Sequence, residues 1–189
     1  MGKHSVPDIR FIPSPELPRE LKCQILSFIR IEWWWIFRDH NRFWDFTSKA
    51  THPVNVVITE RGQVISHAEI NWRMVQHAGQ AFKVYGVSAV FTYPAFRKEG
   101  YGRQIMRAVT DHLQASDADL GLLFCLPQLV PFYAAAGWEA PPDAQILYGD
   151  QDHPHVEEIP ACMLFISDRA RAARAALTTQ PLYVGAYSW

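Results

Sequence analysis

The chain has no excess of charge, little cysteine and no long apolar run, and each shortage removes a class of function. Its 18 basic and 19 acidic residues leave a formal net charge of −1 and a pI near 6.7. No global field therefore draws it to nucleic acid or to an anionic membrane, and its basic residues must be read locally. The three cysteines, Cys23, Cys125 and Cys162, are odd in number, widely spaced and set in apolar surroundings. That pattern predicts buried, reduced thiols rather than a disulfide framework or a nucleophile. No segment approaches the ~20 apolar residues needed to span a bilayer. Met1 to Arg10 carries charges and a proline where a signal peptide would have an apolar run, so cytoplasmic residence is the expectation. No low-complexity linker or internal repeat divides the 189 residues, and 49% hydrophobic with 20% charged residues suits one globular domain.

What is present is an alternation of short elements. Asp8 to Ile12 reads as a first strand closed by Pro13 and Pro15, and Glu16 to Phe37 as a helix, with Leu17, Leu21, Ile25, Phe28 and Ile29 at three- and four-residue intervals. Trp33, Trp34 and Trp35 cannot share one face of it, since neighbours lie ~100° apart. They either pack the helix against a sheet and a following loop, or wall an acceptor pocket with Phe37, Phe43, Trp44 and Phe46. Val54 to Thr59 and Gln63 to Val75 predict a hairpin about Arg61-Gly62, and Phe82 to Thr92 a further strand after the turn His77 to Gln80. Gln104 to Leu113 reads as an amphipathic helix, and Leu120 to Leu126 as a strand buried on both faces. The helix crossover makes that strand parallel to its predecessor. Leu129 to Ala136 predicts a short helix stopped at Gly137, Gln145 to Tyr148 and Ala161 to Ile166 a final strand pair, and Arg169 to Leu177 a helix opening near Ser167 or Asp168.

The most informative stretch is Arg97-Lys98-Glu99-Gly100-Tyr101-Gly102-Arg103, lying between a strand and a helix start. First-turn amides have no intrahelical partner, and the helix dipole adds roughly half a positive charge there, so backbone alone can hold a phosphate. Gly100 and Gly102 let the main chain turn tightly and approach a ligand, with Arg97, Lys98 and Arg103 adding charge. There is no Gly-Lys-Ser/Thr ending, which disfavours a Walker loop, and no third glycine completes a dinucleotide fingerprint.

Arg-x-x-Gly-x-Gly, followed about thirty residues on by Pro131-Phe132-Tyr133 to Gly137-Trp138, resembles the GNAT superfamily of N-acyltransferases, whose pyrophosphate loop and later Phe-Tyr…Gly-Phe/Trp signature have this form. The resemblance covers Val54 to Trp138 and is weaker outside. It implies an α/β (α+β) GNAT-type fold, with a mixed central sheet of about seven strands, parallel strands 4 and 5 splayed apart, flanking helices and an extra carboxyl-terminal helix and tail at about 168–189. It further implies acetyl-CoA as cosubstrate, with no metal. Val90, Phe91 and Thr92 would pair with the pantetheine arm, and a backbone N–H near Phe91 to Tyr93 would polarise the acetyl carbonyl. Arg97, Lys98, Glu99, Gly100, Tyr101, Gly102 and Arg103 would form the pyrophosphate turn, and Tyr133 would lie near the sulfur.

The chemistry gives these residues work. An acceptor amine of pKa near ~10 must lose a proton before it attacks, and negative charge then grows on the thioester oxygen. Tyr133 is the candidate acid for the leaving thiolate. Glu69, on the third strand beside Ile70 and Trp72, is the best carboxylate base, with His67 two residues away on the same face. Each is as well read as an exposed strand residue. The terminal carboxylate of Trp189 is a further possibility should the apolar tail fold back.

Within the superfamily, His52 to Arg103 looks most like the aminoglycoside 2′-N-acetyltransferase branch, yet Ser88 stands where that branch carries a glutamate. The aromatics, Trp34 among them, suggest a pocket for an apolar or aromatic amine, with Ser88 as a further acceptor contact. The expected partner is a small-molecule amine, not nucleic acid or a membrane, and a homodimer is left open. Asp150, Asp152, His153 and His155 read as a polar loop, and Arg169, Arg171 and Arg174 as a surface salt-bridge face. The rival to an acyltransferase is a catalytically silent CoA-binding module of the same fold.

Overall fold

A computed structural model describes residues 8–38, 41–43 and 52–189. Strand β1 (Asp8–Pro13) pairs antiparallel with β2 (Val54–Glu60), and β2 with β3 (Gln63–His77). Arg61 and Gly62, at φ 51° and 78°, make the tight turn between β2 and β3. Ala78 and Gly79, at 48° and 77°, repeat it before β4 (Gln80–Thr92). Two successive left-handed residues give the turn whose twist matches that of paired strands.

Helix α1 (Arg19–Glu32) separates β1 from β2, and α2 (Tyr101–Gln114) carries the chain from β4 to the parallel strand β5 (Leu120–Phe124). Their ladder covers only Val84, Tyr85 and Gly86 against Leu120, Gly121 and Leu122, while β4 runs on to Thr92. After α3 (Val130–Ala134) come β6 (Ile146–Gly149), β7 (Pro154–Val156), β8 (Ala161–Phe165), α4 (Asp168–Ala172), α5 (Arg174–Thr179) and β9 (Leu182–Tyr183). The main sheet has six strands in the order β1-β2-β3-β4-β5-β8, not about seven. β6 does not pair with β8, as the sequence suggested. It joins β7 antiparallel and β9 parallel in a separate three-stranded sheet. β8 spends one edge on β5 along its whole length, and among the described residues its other side carries an isolated Glu139–Met163 bridge. The stretch expected as a loop at Pro154 thus becomes a short strand.

The chain divides into two compact units, Met1–Ile70 with Ala89–Ala108, and Asn71–Ser88 with Val109–Trp189; β3, β4 and α2 each contribute to both. In the first, α1 buries Leu21, Ile25, Phe28 and Ile29 with Val57, Val64 and Phe91. The helix stops at Glu32, five residues short of the expected Phe37, because Trp33 leaves helical geometry and a short 3-10 turn follows over Trp34–Phe37. Trp33 packs edge-on against Phe28 and Phe91, whereas Trp34 and Trp35 are exposed. Trp44 and Phe46 lie outside the described residues. Cys23, expected to be buried, is exposed on α1, off the Leu21–Ile25–Phe28 stripe.

In the second unit, Val75, Phe82, Val84, Leu120, Leu122 and Met163 anchor a core closed by Ala170, Leu177 and Leu182. The expected last helix is split in two, opened by Ser167, whose hydroxyl accepts from the Ala170 amide. Each of its arginines has a carboxylate partner: Arg169 with Asp119, Arg171 with Asp168 and Arg174 with Glu139. Asp119 is buried and also accepts from the Lys83 amide at 2.8 Å and the Ser167 hydroxyl at 2.6 Å. Burial alone would raise its pKa, but the hydrogen bonds from Arg169, Ser167 and Lys83 outweigh it and hold the carboxyl below its usual range. Its contribution is therefore complete above the unfolded carboxyl pKa and lost as pH falls through the lower folded value. Asp119→Ala should cost ~2–3 kcal/mol in urea unfolding at neutral pH, since it strands a part-buried amide and hydroxyl and the Arg169 guanidinium. The gap to the native protein should close as the titration is repeated toward pH 3.

The tail folds back onto this unit. Trp189 donates its indole N–H to the Asn71 side-chain oxygen, and Arg73 packs its guanidinium over the Trp189 and Tyr187 rings at 4.1 and 4.9 Å while donating to the Val184 and Tyr187 carbonyls. Gly86 makes this possible, because any side chain there would overlap the indole.

Candidate functional site

At the end of β4 the chain passes through a 3-10 turn at Pro94–Phe96 into the glycine-containing loop. Lys98 and Gly100 both adopt left-handed φ, 69° and 90°. The first helical hydrogen bond of α2 runs from Gln104 N–H to the Gly100 carbonyl at 3.1 Å, so the amides of Tyr101, Gly102 and Arg103 lie ahead of it. The helix begins three residues earlier than its apolar periodicity suggests, which puts Tyr101, Gly102 and Arg103 in its first turn. Left-handed turns before a helix N-terminus gather amides into an anion-binding concavity. Lys98, Glu99, Gly100 and Arg103 are exposed, and the Tyr101 ring packs edge-on to Phe96 at 6.3 Å. Arg97 is exposed as well, and its Nε donates to the Thr92 carbonyl at 3.0 Å. It thus ties the loop to the strand it follows.

The end of β4 departs from regular strand geometry. Ala89 has φ 48°, a left-handed conformation that costs a residue with a Cβ ~1–2 kcal/mol. Its carbonyl faces the Nδ1 of His67 on β3 at 2.9 Å, and the Phe91 carbonyl accepts from the Ser66 hydroxyl at 2.7 Å. Ser66 Oγ also lies 2.9 Å from Thr92 Oγ1. The Phe91 ring is buried in the first unit's core, stacked on Phe28 at 4.1 Å, so only its main chain can meet a ligand. Tyr93 N–H is bonded to the Ile65 carbonyl at 2.9 Å and is removed from the range of donors, Phe91 to Tyr93, that the sequence suggested.

His67 is not an exposed strand residue. It is fully buried, with Nε2 3.0 Å from the Asn55 side-chain oxygen. Burial lowers its pKa to about 4 against the raising effect of the Ala89 hydrogen bond, so the ring is neutral at physiological pH and both nitrogens are engaged. That leaves it unsuited to be the base. Glu69 is also buried, on the same face of β3 and directly across from Asn55 on β2. Ser88 is half-buried on β4, and Trp34 is exposed with the Arg38 guanidinium 4.4 Å over its ring.

Tyr133 stands on α3 in the second unit. The helix ends in a Schellman turn: Trp138 N–H reaches the Tyr133 carbonyl and Gly137 N–H the Ala134 carbonyl, with Gly137 at φ 90°. Tyr133 is buried, at 6% exposed. Burial first, then the Cys125 and Cys162 thiols, raise its pKa well above the ordinary tyrosine range. The two sulfurs are 3.6 Å apart, and burial pushes both thiols up, Cys162 to about 12. Among the described residues no group of three His, Cys, Asp or Glu side chains is arranged to hold a metal, and no helix is long and apolar enough to cross a membrane.

The family described as the acetyltransferase (GNAT) domain matches residues 36–140, more than half of the chain and including both the loop and Tyr133. The protein belongs to the GNAT acetyltransferase family. Its fold is shared with the GNAT family N-acetyltransferase YhbS of Escherichia coli in complex with CoA, at TM-score 0.62 and 15% identity over 97% of this chain and 93% of that one. An acyl-CoA N-acyltransferase from Pseudomonas aeruginosa gives 0.57 and 16% over 84% and 99%. A Brucella melitensis GNAT acetyltransferase in complex with acetyl-CoA gives 0.53 and 17% over 85% and 89%. At these identities the likeness is one of fold. Comparison with curated protein sequences finds no match.

Sequence reasoning missed Ser66, Asn55 and the true position of His67. The available signal was their polarity within β2 and β3 runs that are otherwise apolar and buried.

Proposed function

We propose that the protein transfers the acetyl group of acetyl-CoA to the primary amine of a small molecule, by direct attack in a ternary complex. The observation that carries this is the turn at Lys98 and Gly100, where left-handed backbone and the leading amides of α2 suit a diphosphate, with Arg97, Lys98 and Arg103 beside it. Membership of the GNAT family supplies the thioester chemistry. In the proposed reaction the main chain from Val90 to Thr92 aligns the donor and an amide of β4 stabilises charge on the carbonyl oxygen. The new C–N bond forms as the C–S bond breaks, and Tyr133 returns a proton to the sulfur. Glu69 is the proposed route for the proton leaving the amine, and Ser88 and Trp34 are proposed acceptor contacts.

The aminoglycoside 2′-N-acetyltransferase likeness is not carried into this proposal. Ser88 supplies no anion for a polycationic acceptor, and none of the comparisons supports that branch. The experiment is release of free thiol from acetyl-CoA, measured against a panel of primary amines with thermal shift by CoA alongside. Amine-dependent thiol release is the expected result. Stabilisation by CoA with no turnover on any amine would replace the proposal with a silent CoA-binding module, and no stabilisation would remove both.

A further inference from the structure

We propose that His67, assisted by Ser66, is a positioning residue that fixes the direction of two main-chain N–H donors on β4, those of Val90 and Thr92. This deepens the acetyltransferase reading and rests on it for its catalytic meaning, though not for its structural content. Among the described residues every peptide bond is trans, so the C=O and N–H of one peptide unit point in opposite directions. The carbonyl of Ala89 is drawn toward β3 by His67, and that of Phe91 by the Ser66 hydroxyl. The next amides in the chain, Val90 and Thr92, are thereby turned away from β3. Neither belongs to the β5 ladder, which ends at Gly86.

The hold on Ala89 has a defined polarity. A carbonyl only accepts, so His67 Nδ1 must carry the proton, and Nε2 of the neutral ring must then accept. As placed, the Asn55 NH₂ donates to the Ser14 hydroxyl oxygen at 2.9 Å and the Asn55 oxygen faces Nε2 at 3.0 Å. The two ends of an amide are interchangeable in shape, so turning it over puts the NH₂ on Nε2 and lets the oxygen accept from the Ser14 hydroxyl. With the amide so turned, Ser14, Asn55, His67 and Ala89 form one directed chain of hydrogen bonds that ends on a strained residue. A left-handed alanine inside a strand persists only where its surroundings over-determine it, and the buried imidazole is what does so here. An oxyanion donor must be aimed before the reaction begins, because reorientation during it would consume the benefit.

The test compares His67→Asn, whose side-chain NH₂ replaces Nδ1, with His67→Leu, which offers no donor. His67→Leu should lower kcat by ~10-fold or more, with the affinity for CoA held within about twofold, and His67→Asn should recover most of the loss. The structural readout needs no substrate: the Val90 amide ¹⁵N resonance should move, and its hydrogen exchange quicken, in His67→Leu and not in His67→Asn. The wild-type imidazole ¹⁵N spectrum should show the Nδ1–H tautomer, which covers the case in which His67→Leu does not fold. An Nε2–H tautomer, or a Val90 amide indifferent to leucine, overturns the inference. Absence of thiol release by the wild type would instead overturn the acetyltransferase reading and leave the spectroscopic result standing.

Discussion

Replacing Tyr133 by Phe is expected to lower turnover by ~10²–10⁴-fold, the range for losing a positioned acid, while leaving CoA affinity unchanged. The substitution removes one oxygen from a ring held by α3 and packed edge-on to Phe132 at 4.9 Å. A phenylalanine ring fills the same buried space, so the fold should tolerate the change. Because burial raises the tyrosine pKa, the phenol stays protonated throughout the usual assay range. The pH profile of kcat should therefore keep its shape in Tyr133→Phe and differ only in height. Stopped-flow acetyl transfer with a titration of CoA binding checks both halves; an equal loss of affinity and rate would mark Tyr133 as a packing residue.

The largest effect on stability is expected from Trp138→Ala, at ~3–5 kcal/mol, the usual cost of emptying a buried aromatic site. Trp138 is 2% exposed, its indole donates to Thr110 on α2 at 2.9 Å, and its ring occupies the space over Gly121, where a Cβ would meet it at 2.8 Å. Truncation therefore leaves a cavity and also deprives a buried hydroxyl of its donor. For a chain of this size the unfolding temperature should fall by about 6–20 °C, as read by calorimetry. Trp138→Phe, which keeps one aromatic ring but loses the N–H and part of the volume, should lie between the two.

The elements with their own local chemistry were legible in the sequence. Arg61-Gly62 announces the β2–β3 turn, the Leu21–Ile25–Phe28 spacing announces α1, and the glycines between a strand-like and a helix-like run announce the bend from Arg97 to Arg103. What was hidden depends on partners distant in sequence. β6 has the composition to pair with β8, but β8 pairs with β5, while β6 takes β7 and β9, partners supplied by later parts of the chain. His67 looked like a surface or catalytic histidine because nothing local discloses that Ala89 turns left-handed 22 residues later. The buried Glu69 and the exposed Trp34 show the same limit: a strand residue's neighbours are set by the strands beside it.

The contrast between Cys23 and the Cys125–Cys162 pair bears on how the enzymology is carried out. Thiol reagents count every accessible sulfur, and this protein presents Cys23 at its surface while keeping the other two buried with raised pKa values. Stoichiometric background in a coenzyme-release assay would therefore come from the α1 cysteine, and a Cys23→Ser preparation would give the cleaner baseline.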